Sequence, residues 1–246
     1  MIRNPFARFH RAQAPAGSRV YAIGDIHGRA DLLAARHRMI CDDAAARPVA
    51  RHVVVYVGDY IDRGPDSRAV IDLLLDAPLA GFESVHLLGN HEAFLLEFLD
   101  DAGAGPDWLF NGGAETLASY GVESPWPFGD PPDRMQAEFR RRLPARHLTF
   151  LRDLRLSHVE GGYLFVHAGV RPGVPLDRQE RHDLLWIRDE FLDSGADLGK
   201  VVVHGHSIAD EPERRRNRIG IDTGAYMTGR LTCLVLEGAD RRFLAT

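Results

Sequence analysis

From residue 19 onward the chain alternates short apolar runs with amphipathic stretches. RVYAI at 19–23 reads as a strand, and over 29–46 the residues Leu32, Leu33, Arg36, Met39, Ile40 and Ala44 recur near one helical face. HVVVYV at 52–57 is a continuous apolar run, the pattern of a strand covered on both sides of its sheet. Residues 67–75 then read as helix, 83–88 as strand and 92–101 as helix. Three rounds of strand and helix predict a right-handed βαβαβ core.

The pattern changes over 103–147. Gly103, Gly105, Gly112 and Gly113 precede the Pro-rich stretch SPWPFGDPPDR, and a charged helical run follows around 135–143. This segment is expected to be an insertion of helices and loops over the sheet, a lid or substrate wall. Beyond it, 154–159, 163–166, 201–204, 218–222 and 231–236 read as strands, with Gly161-Gly162 as a hairpin turn and one helix over 183–193. Residues 1–18, with Arg3, Arg8, His10 and Arg11 between Pro5 and Pro15, are expected to be a flexible basic tail. The remainder, 19–246, reads as one domain with two packed sheets.

Composition narrows the chemistry. With 246 residues, 45% apolar, the chain suits one full-sized core, and a net charge of −5 is not that of a nucleic-acid binder. No apolar stretch is long enough for a membrane helix and the N-terminus lacks a signal-like apolar region, so integral membrane association is not expected and a cytoplasmic location is. Cys41 and Cys233 stand far apart, which argues against a disulfide framework or a thiolate zinc site. Metal chemistry must therefore use His, Asp and Asn. Of the 30 basic residues 29 are Arg, Lys200 being the exception; most of that excess reads as codon bias.

Candidate ligands stand where predicted strands end. Gly24-Asp25-Ile26-His27-Gly28, Gly58-Asp59-Tyr60-Ile61-Asp62-Arg63-Gly64, Gly89-Asn90-His91-Glu92, His167-Ala168-Gly169 and His204-Gly205-His206 each follow an apolar run. Ligand sites of α/β sheets lie at such strand ends. Any one of these motifs alone could be a turn or a helix cap. Jointly they offer hard oxygen and borderline nitrogen donors without a thiolate, a set suited to Mn, Fe or Zn.

The combination GDxHG, GDxxDRG and GNHE resembles the calcineurin-like metallophosphoesterases, and more specifically the bacterial branch of the phosphoprotein phosphatases, over roughly residues 19–238. The resemblance implies a sandwich of two mixed β-sheets flanked by helices and a pair of divalent metals, Mn foremost. It implies that Asp25 and His27 bind the first metal, that Asp59 bridges both, and that Asn90, His167 and His206 bind the second. His206 is preferred over His204 because the family's ligand follows a Gly. In-line attack on phosphorus would come from a hydroxide held between the metals, with His91 as general acid and Asp62 as its carboxylate partner. Arg63 and Arg188 would grip phosphate oxygens beside Asn90, and Asn111, in WLFNGG, could touch substrate. Asp222, in IDTGAY, is expected to satisfy backbone donors.

A phosphorylated protein is the substrate so implied, phosphoserine or phosphothreonine first and phosphotyrosine also open. A symmetrical diadenosine-tetraphosphatase-like hydrolase is the alternative, since it too carries Arg-Gly-Pro after the second motif, as Arg63-Gly64-Pro65 does. Glu92 after His91 and the NGG and IDTGAY segments favour the phosphatase. A non-catalytic binding or scaffold protein on the same fold is argued against by the intact ligand set, His91, Asp62 and Arg63.

Overall fold

The computed structural model of the protein describes residues 12–123 and 131–244. Its first sheet has the order β10-β9-β1-β2-β3, from β1 (Ser18–Ile23), β2 (Arg51–Tyr56), β3 (Phe82–His86), β9 (Cys233–Glu237) and β10 (Asp240–Phe243). The second has the order β4-β5-β6-β8-β7, from β4 (Ser157–Glu160), β5 (Tyr163–Val166), β6 (Val201–His204), β7 (Glu213–Arg214) and β8 (Arg218–Gly220). Strands β1, β2 and β3 are parallel, with α1 (Ala30–Ala46) and α2 (Ser67–Asp76) as crossovers, while β9 and β10 run antiparallel. The second sheet is mixed as well, with antiparallel pairs at both edges and parallel β5, β6 and β8 between them.

Alternation along the strands explains the layering. In β1, Val20 and Ala22 point between the sheets, while Tyr21 and Ile23 point at the helices; in β2, Val53 and Val55 pack inward and Val54 and Tyr56 outward. The inner faces meet Phe165, Val203 and Ile219 of the second sheet, so both faces of β1 and β2 are buried. That double burial is why 52–57 carries no polar alternation. On the far side Leu164, Val166 and Val202 pack against Leu184, Ile187 and Phe191.

Several boundaries differ from expectation. Residues 12–17 are not a loose tail: Ala12 and Ala14 are buried, Ala14 N–H donates to Gly238 O (2.8 Å) and Gly162 N–H to Gln13 O (2.8 Å). Residues 1–11 of that expected tail, and 124–130 of the Pro-rich stretch, lie outside the described residues. The expected helix over 183–193 is two pieces, α8 (Arg181–Trp186) and α9 (Asp189–Leu192), with Arg188 at the break (φ −127°, ψ −107°). The strand expected from 154 begins at Ser157; before it Arg155 makes a single parallel bridge to Leu87 at the edge of the first sheet. The insertion is helical, with α4 (Gly105–Trp108), a wide π turn over Leu109–Gly113, α5 (Ala114–Ser119), α6 (Pro132–Arg142) and α7 (Ala145–Arg152). No helix among the described residues is long and apolar enough to cross a membrane.

Candidate metal centre

Both sheets deliver their strand ends to one buried cluster. Asp25 and His27 follow β1, Asp59 follows β2, and Asn90 and His91 open α3 (Asn90–Asp100) after β3. His167 follows β5 and His206 follows β6. Ligand-type atoms of His27, Asp59 and His91, and those of Asp59, His167 and His206, each lie within 4.8 Å of one another, so the two groups share Asp59. Every one of these side chains is buried.

The backbone is bent to make this possible. Among the described residues, the non-glycine positions with positive φ are His27, Asp59, Asp62, Arg63 and His206, at 45° to 71°. All five were singled out by the strand-end motifs. Left-handed backbone costs a non-glycine residue about 1–2 kcal/mol, and it persists where surrounding contacts over-determine it. Glu92 supplies such contacts. Its Oε2 accepts the N–H groups of Asp59 and Gly89 (both 3.0 Å), and Oε1 those of Tyr60 (2.8 Å) and Ile61 (3.2 Å). Burial, then the nearby Asp59, raises its carboxyl to about 8. The neighbouring glycines are spatial requirements: a Cβ at Gly89 would overlap Asp59 Oδ1, and one at Gly205 would overlap Asp25 Oδ1.

The donor atoms are rich in lone pairs and poor in protons. His27 Nδ1–H donates to Ile61 O (2.8 Å) and His167 Nδ1–H to Val57 O (2.9 Å), which leaves each neutral ring a bare Nε2 facing the cluster. Burial lowers His27 to about 3, His206 to about 2 and His167 below its ordinary value. The bare His167 Nε2 lies 2.8 Å from Asn90 Oδ1 and 3.4 Å from Asp59 Oδ1; His206 Nδ1 lies 2.9 Å from the same amide oxygen. Asp25 Oδ1 and His206 Nε2 are buried with no hydrogen-bond partner. Burial pushes Asp59 up, but four imidazoles around it pull it net below the carboxylate range; Asp25 is raised by burial, Asp222 and Asp59. Opposed lone pairs and orphaned acceptors fit divalent cations, and the His/Asp/Asn set suits Mn, Fe or Zn.

A match to the model of the calcineurin-like phosphoesterases covers residues 18–229. The chain belongs to that family. Serine/threonine-protein phosphatase 2 of Escherichia coli is 30% identical to this phosphoesterase, over 93% of this chain and 97% of that protein. The symmetrical bis(5'-nucleosyl)-tetraphosphatase of Aromatoleum aromaticum is 31% identical, over 63% of this chain and 45% of its own length. A crystal structure assigned as a diadenosine tetraphosphatase has the same fold, with a TM-score of 0.60 and 24% identity, covering 94% of this chain and 97% of that one. The family uses divalent metals, which fits the donor cluster of this phosphoesterase.

The remaining expected residues of the phosphoesterase ring the cluster at different depths. His91 Nδ1–H donates to Asp62 Oδ2 (2.7 Å), and its Nε2 lies 3.9 Å from Asp59 Oδ2. Burial lowers its pKa, yet Asp59 and Asp62 outweigh that and the net shift is upward. Arg63 Nη1 is 3.5 Å from His27 Nε2, and its guanidinium stands 5.2 Å over the Tyr226 ring. Arg188 is exposed, with Nη1 3.5 Å from Ser207 Oγ, and its positive charge helps to depress His167 and His206. Asn111 lines a depression that also includes Arg63, its Nδ2 donating to Asp107 O (2.9 Å). His204 stands apart, edge-on to Phe191 with Nδ1 3.0 Å from Gly205 O. Asp222 is buried against Gly224 N–H (2.9 Å), and burial raises it to about 6.

Sequence reasoning missed two contributions of the insertion. Trp108 Nε1–H donates to Asp62 Oδ2 (2.9 Å) and Thr116 Oγ1–H to Asp62 Oδ1 (2.6 Å). Trp108 is core, stacked on Phe98 at 5.0 Å; only its partner atom reveals the second role. Glu92 was readable as part of GNHE, but its four backbone donors were not.

Proposed function

We propose that this phosphoesterase is a phosphomonoester hydrolase acting on phosphorylated serine and threonine in proteins. The observation that carries the reading is the shared Asp59 between two histidine groups, with the His91–Asp62 pair and Arg63 against it. Asp25, His27 and Asp59 would hold one cation, and Asp59, Asn90, His167 and His206 the other, with Mn the favoured ion. When bound, such cations supply a water of lowered pKa and positive charge for the phosphoryl oxygens.

The chain's own residues do the rest. Arg63, beside His27, and Arg188, beside the His167 and His206 side, would take non-bridging phosphate oxygens whose charge persists through the transfer. His91 carries its transferable proton on Nε2, because Nδ1–H is committed to Asp62, and would give that proton to the departing alkoxide oxygen. Asp62 fixes the ring and favours the protonated form; Trp108 and Thr116 fix Asp62.

A phosphoprotein substrate is supported by 30% identity along nearly the full length of a serine/threonine phosphatase, against 26% over 88% of the asymmetrical bis(5'-nucleosyl)-tetraphosphatase of Bacillus thuringiensis. The deciding assay compares a phosphoserine peptide, a phosphotyrosine peptide and diadenosine tetraphosphate with the purified chain in Mn²⁺. The highest kcat/KM is expected on the phosphoserine peptide, and faster turnover of the dinucleotide would replace this reading.

A further inference from the structure

Beside Arg63 the surface opens into a depression of about 350 Å³ walled by Arg63, Phe110, Asn111, Gly112, Glu115 and Tyr226. Phe110 is 88% exposed there. The local backbone forces it outward. Trp108 and Leu109 turn into the core, and the π turn at Leu109–Gly113 then carries Gly112, at φ 103°, across Arg63. Arg63 N–H donates to Gly112 O (3.1 Å), and a Cβ on Gly112 would lie 2.8 Å from Arg63 Cγ. Such wide turns recur at functional sites.

Phe110 is the exposed apolar side chain of this depression. Among the described residues, the large exposed hydrophobic side chains are Phe110, Val159, Ile208 and Met227. Met227 adjoins Tyr226, and Ile208 lies two residues after His206. These two converge over Gly224, where a Cβ would be 3.2 Å from Ile208 Cγ2 and 3.3 Å from Met227 Cε. Isolated exposed apolar residues are ordinary, but Phe110 and the Tyr226 ring together wall a depression next to the phosphate-gripping Arg63.

Charge limits what can cover it. Arg63 is the cation of the depression and Glu115 its anion. Arg29, which reaches Ala225 O (2.9 Å), is already paired with Asp31 through two nitrogens (2.8 and 2.6 Å). With Arg63 occupied by the scissile phosphate, a leaving group bearing further phosphates would meet the Glu115 carboxylate and two aromatic rings. A leaving group that is a polypeptide would meet the same rings with an apolar side chain, at no electrostatic cost.

From this we infer that the depression is a leaving-group subsite, in which Phe110 receives an apolar side chain flanking the phosphorylated residue and Glu115 turns away polyphosphate leaving groups. The inference rests on the protein-phosphatase reading above.

The test uses the full chain with Mn²⁺ and three substrates: a phosphoserine peptide flanked by Leu, the same peptide flanked by Gly, and diadenosine tetraphosphate. The wild type should favour the Leu peptide about tenfold in kcat/KM, the discrimination expected of apolar contact. Phe110→Ala, at an exposed position whose loss leaves the core intact, should bring that ratio down to about one, and Glu115→Gln should raise kcat/KM on the dinucleotide several-fold. A wild-type ratio near one with both peptides turned over, or an unchanged ratio in Phe110→Ala, removes the subsite and leaves the phosphatase reading standing. An unchanged dinucleotide rate in Glu115→Gln removes that residue's part. Turnover of the dinucleotide with neither peptide hydrolysed would overturn both the inference and the reading beneath it.

Discussion

The indole N–H of Trp108 and the imidazole N–H of His91 converge on one oxygen, Asp62 Oδ2, at 2.9 and 2.7 Å. Since Thr116 occupies Oδ1 at 2.6 Å, Asp62 has no freedom to rotate away from His91. Trp108→Phe keeps an aromatic ring against Phe98 while it deletes the donor and some of the buried indole volume. Its kcat on a phosphoserine peptide should fall about tenfold, the worth of one hydrogen bond to a charged group, with a smaller loss on p-nitrophenyl phosphate. Equal losses on the two substrates would mean that Trp108 acts through packing alone.

His91→Asn tests the acid directly. A serine alkoxide needs a proton as it leaves and p-nitrophenolate does not, so the variant should lose about 10²- to 10⁴-fold on the peptide and far less on the aryl ester. Similar losses on both would take His91 out of that role.

Glu92→Gln puts an amide NH₂ where backbone N–H groups of Gly89, Asp59, Tyr60 and Ile61 now find carboxylate oxygens. Urea unfolding should register a loss of about 2 kcal/mol, the scale for buried backbone donors left unsatisfied. Weaker Mn²⁺ binding should accompany it, because Asp59 sits on the loop so released. Unchanged midpoint and affinity would mean the left-handed loop holds itself.

Metal affinity should rise with pH. Asp25 holds its proton well above the usual carboxylate range through burial and the neighbouring Asp222 and Asp59, and Asp222 is raised to about 6. A cation must displace the Asp25 proton, so binding is opposed below the raised pKa and the opposition fades above it. Titration calorimetry from about pH 5 to about pH 7.5, in two buffers of different ionisation enthalpy, should find tighter Mn²⁺ binding at the higher pH and proton release at the lower. A flat affinity would argue that Asp25 takes no part.

Arg188→Ala should weaken inhibition by inorganic phosphate about fivefold, the range of one charge-assisted contact near the surface. Undiminished inhibition would return Arg188 to an ordinary surface role at the break between α8 and α9.

What was legible in the sequence follows a physical division. Asp25, His27, Asp59, Asn90, His91, His167 and His206 could be found because each stands within a few residues of an apolar strand and a glycine, so local spacing fixes them. Their convergence also needs only the sandwich, which the double-sided burial of β1 and β2 announces. Trp108 and Thr116 could not be found, because their partner is Asp62, 46 and 54 residues away, reached through irregular helices. Strands β7 and β10 hid for another reason: Glu213–Arg214 and Asp240–Phe243 are edge strands with charged side chains and little alternation. Arg188 was found in sequence but set on a continuous helix that in fact breaks at it.

The order in which the chain reaches the cluster has a bearing on its synthesis. Asp25, Asp59 and Asn90 emerge early, but His206 comes from the second sheet, and β1 waits for β9, at Cys233–Glu237, to pair with its open edge. A ribosome-bound fragment ending before residue 233 would thus carry every donor and still lack the neighbour that anchors its first strand. Such long-range pairing slows folding, so catalytic competence should not appear in the nascent protein until β9 is free of the exit tunnel.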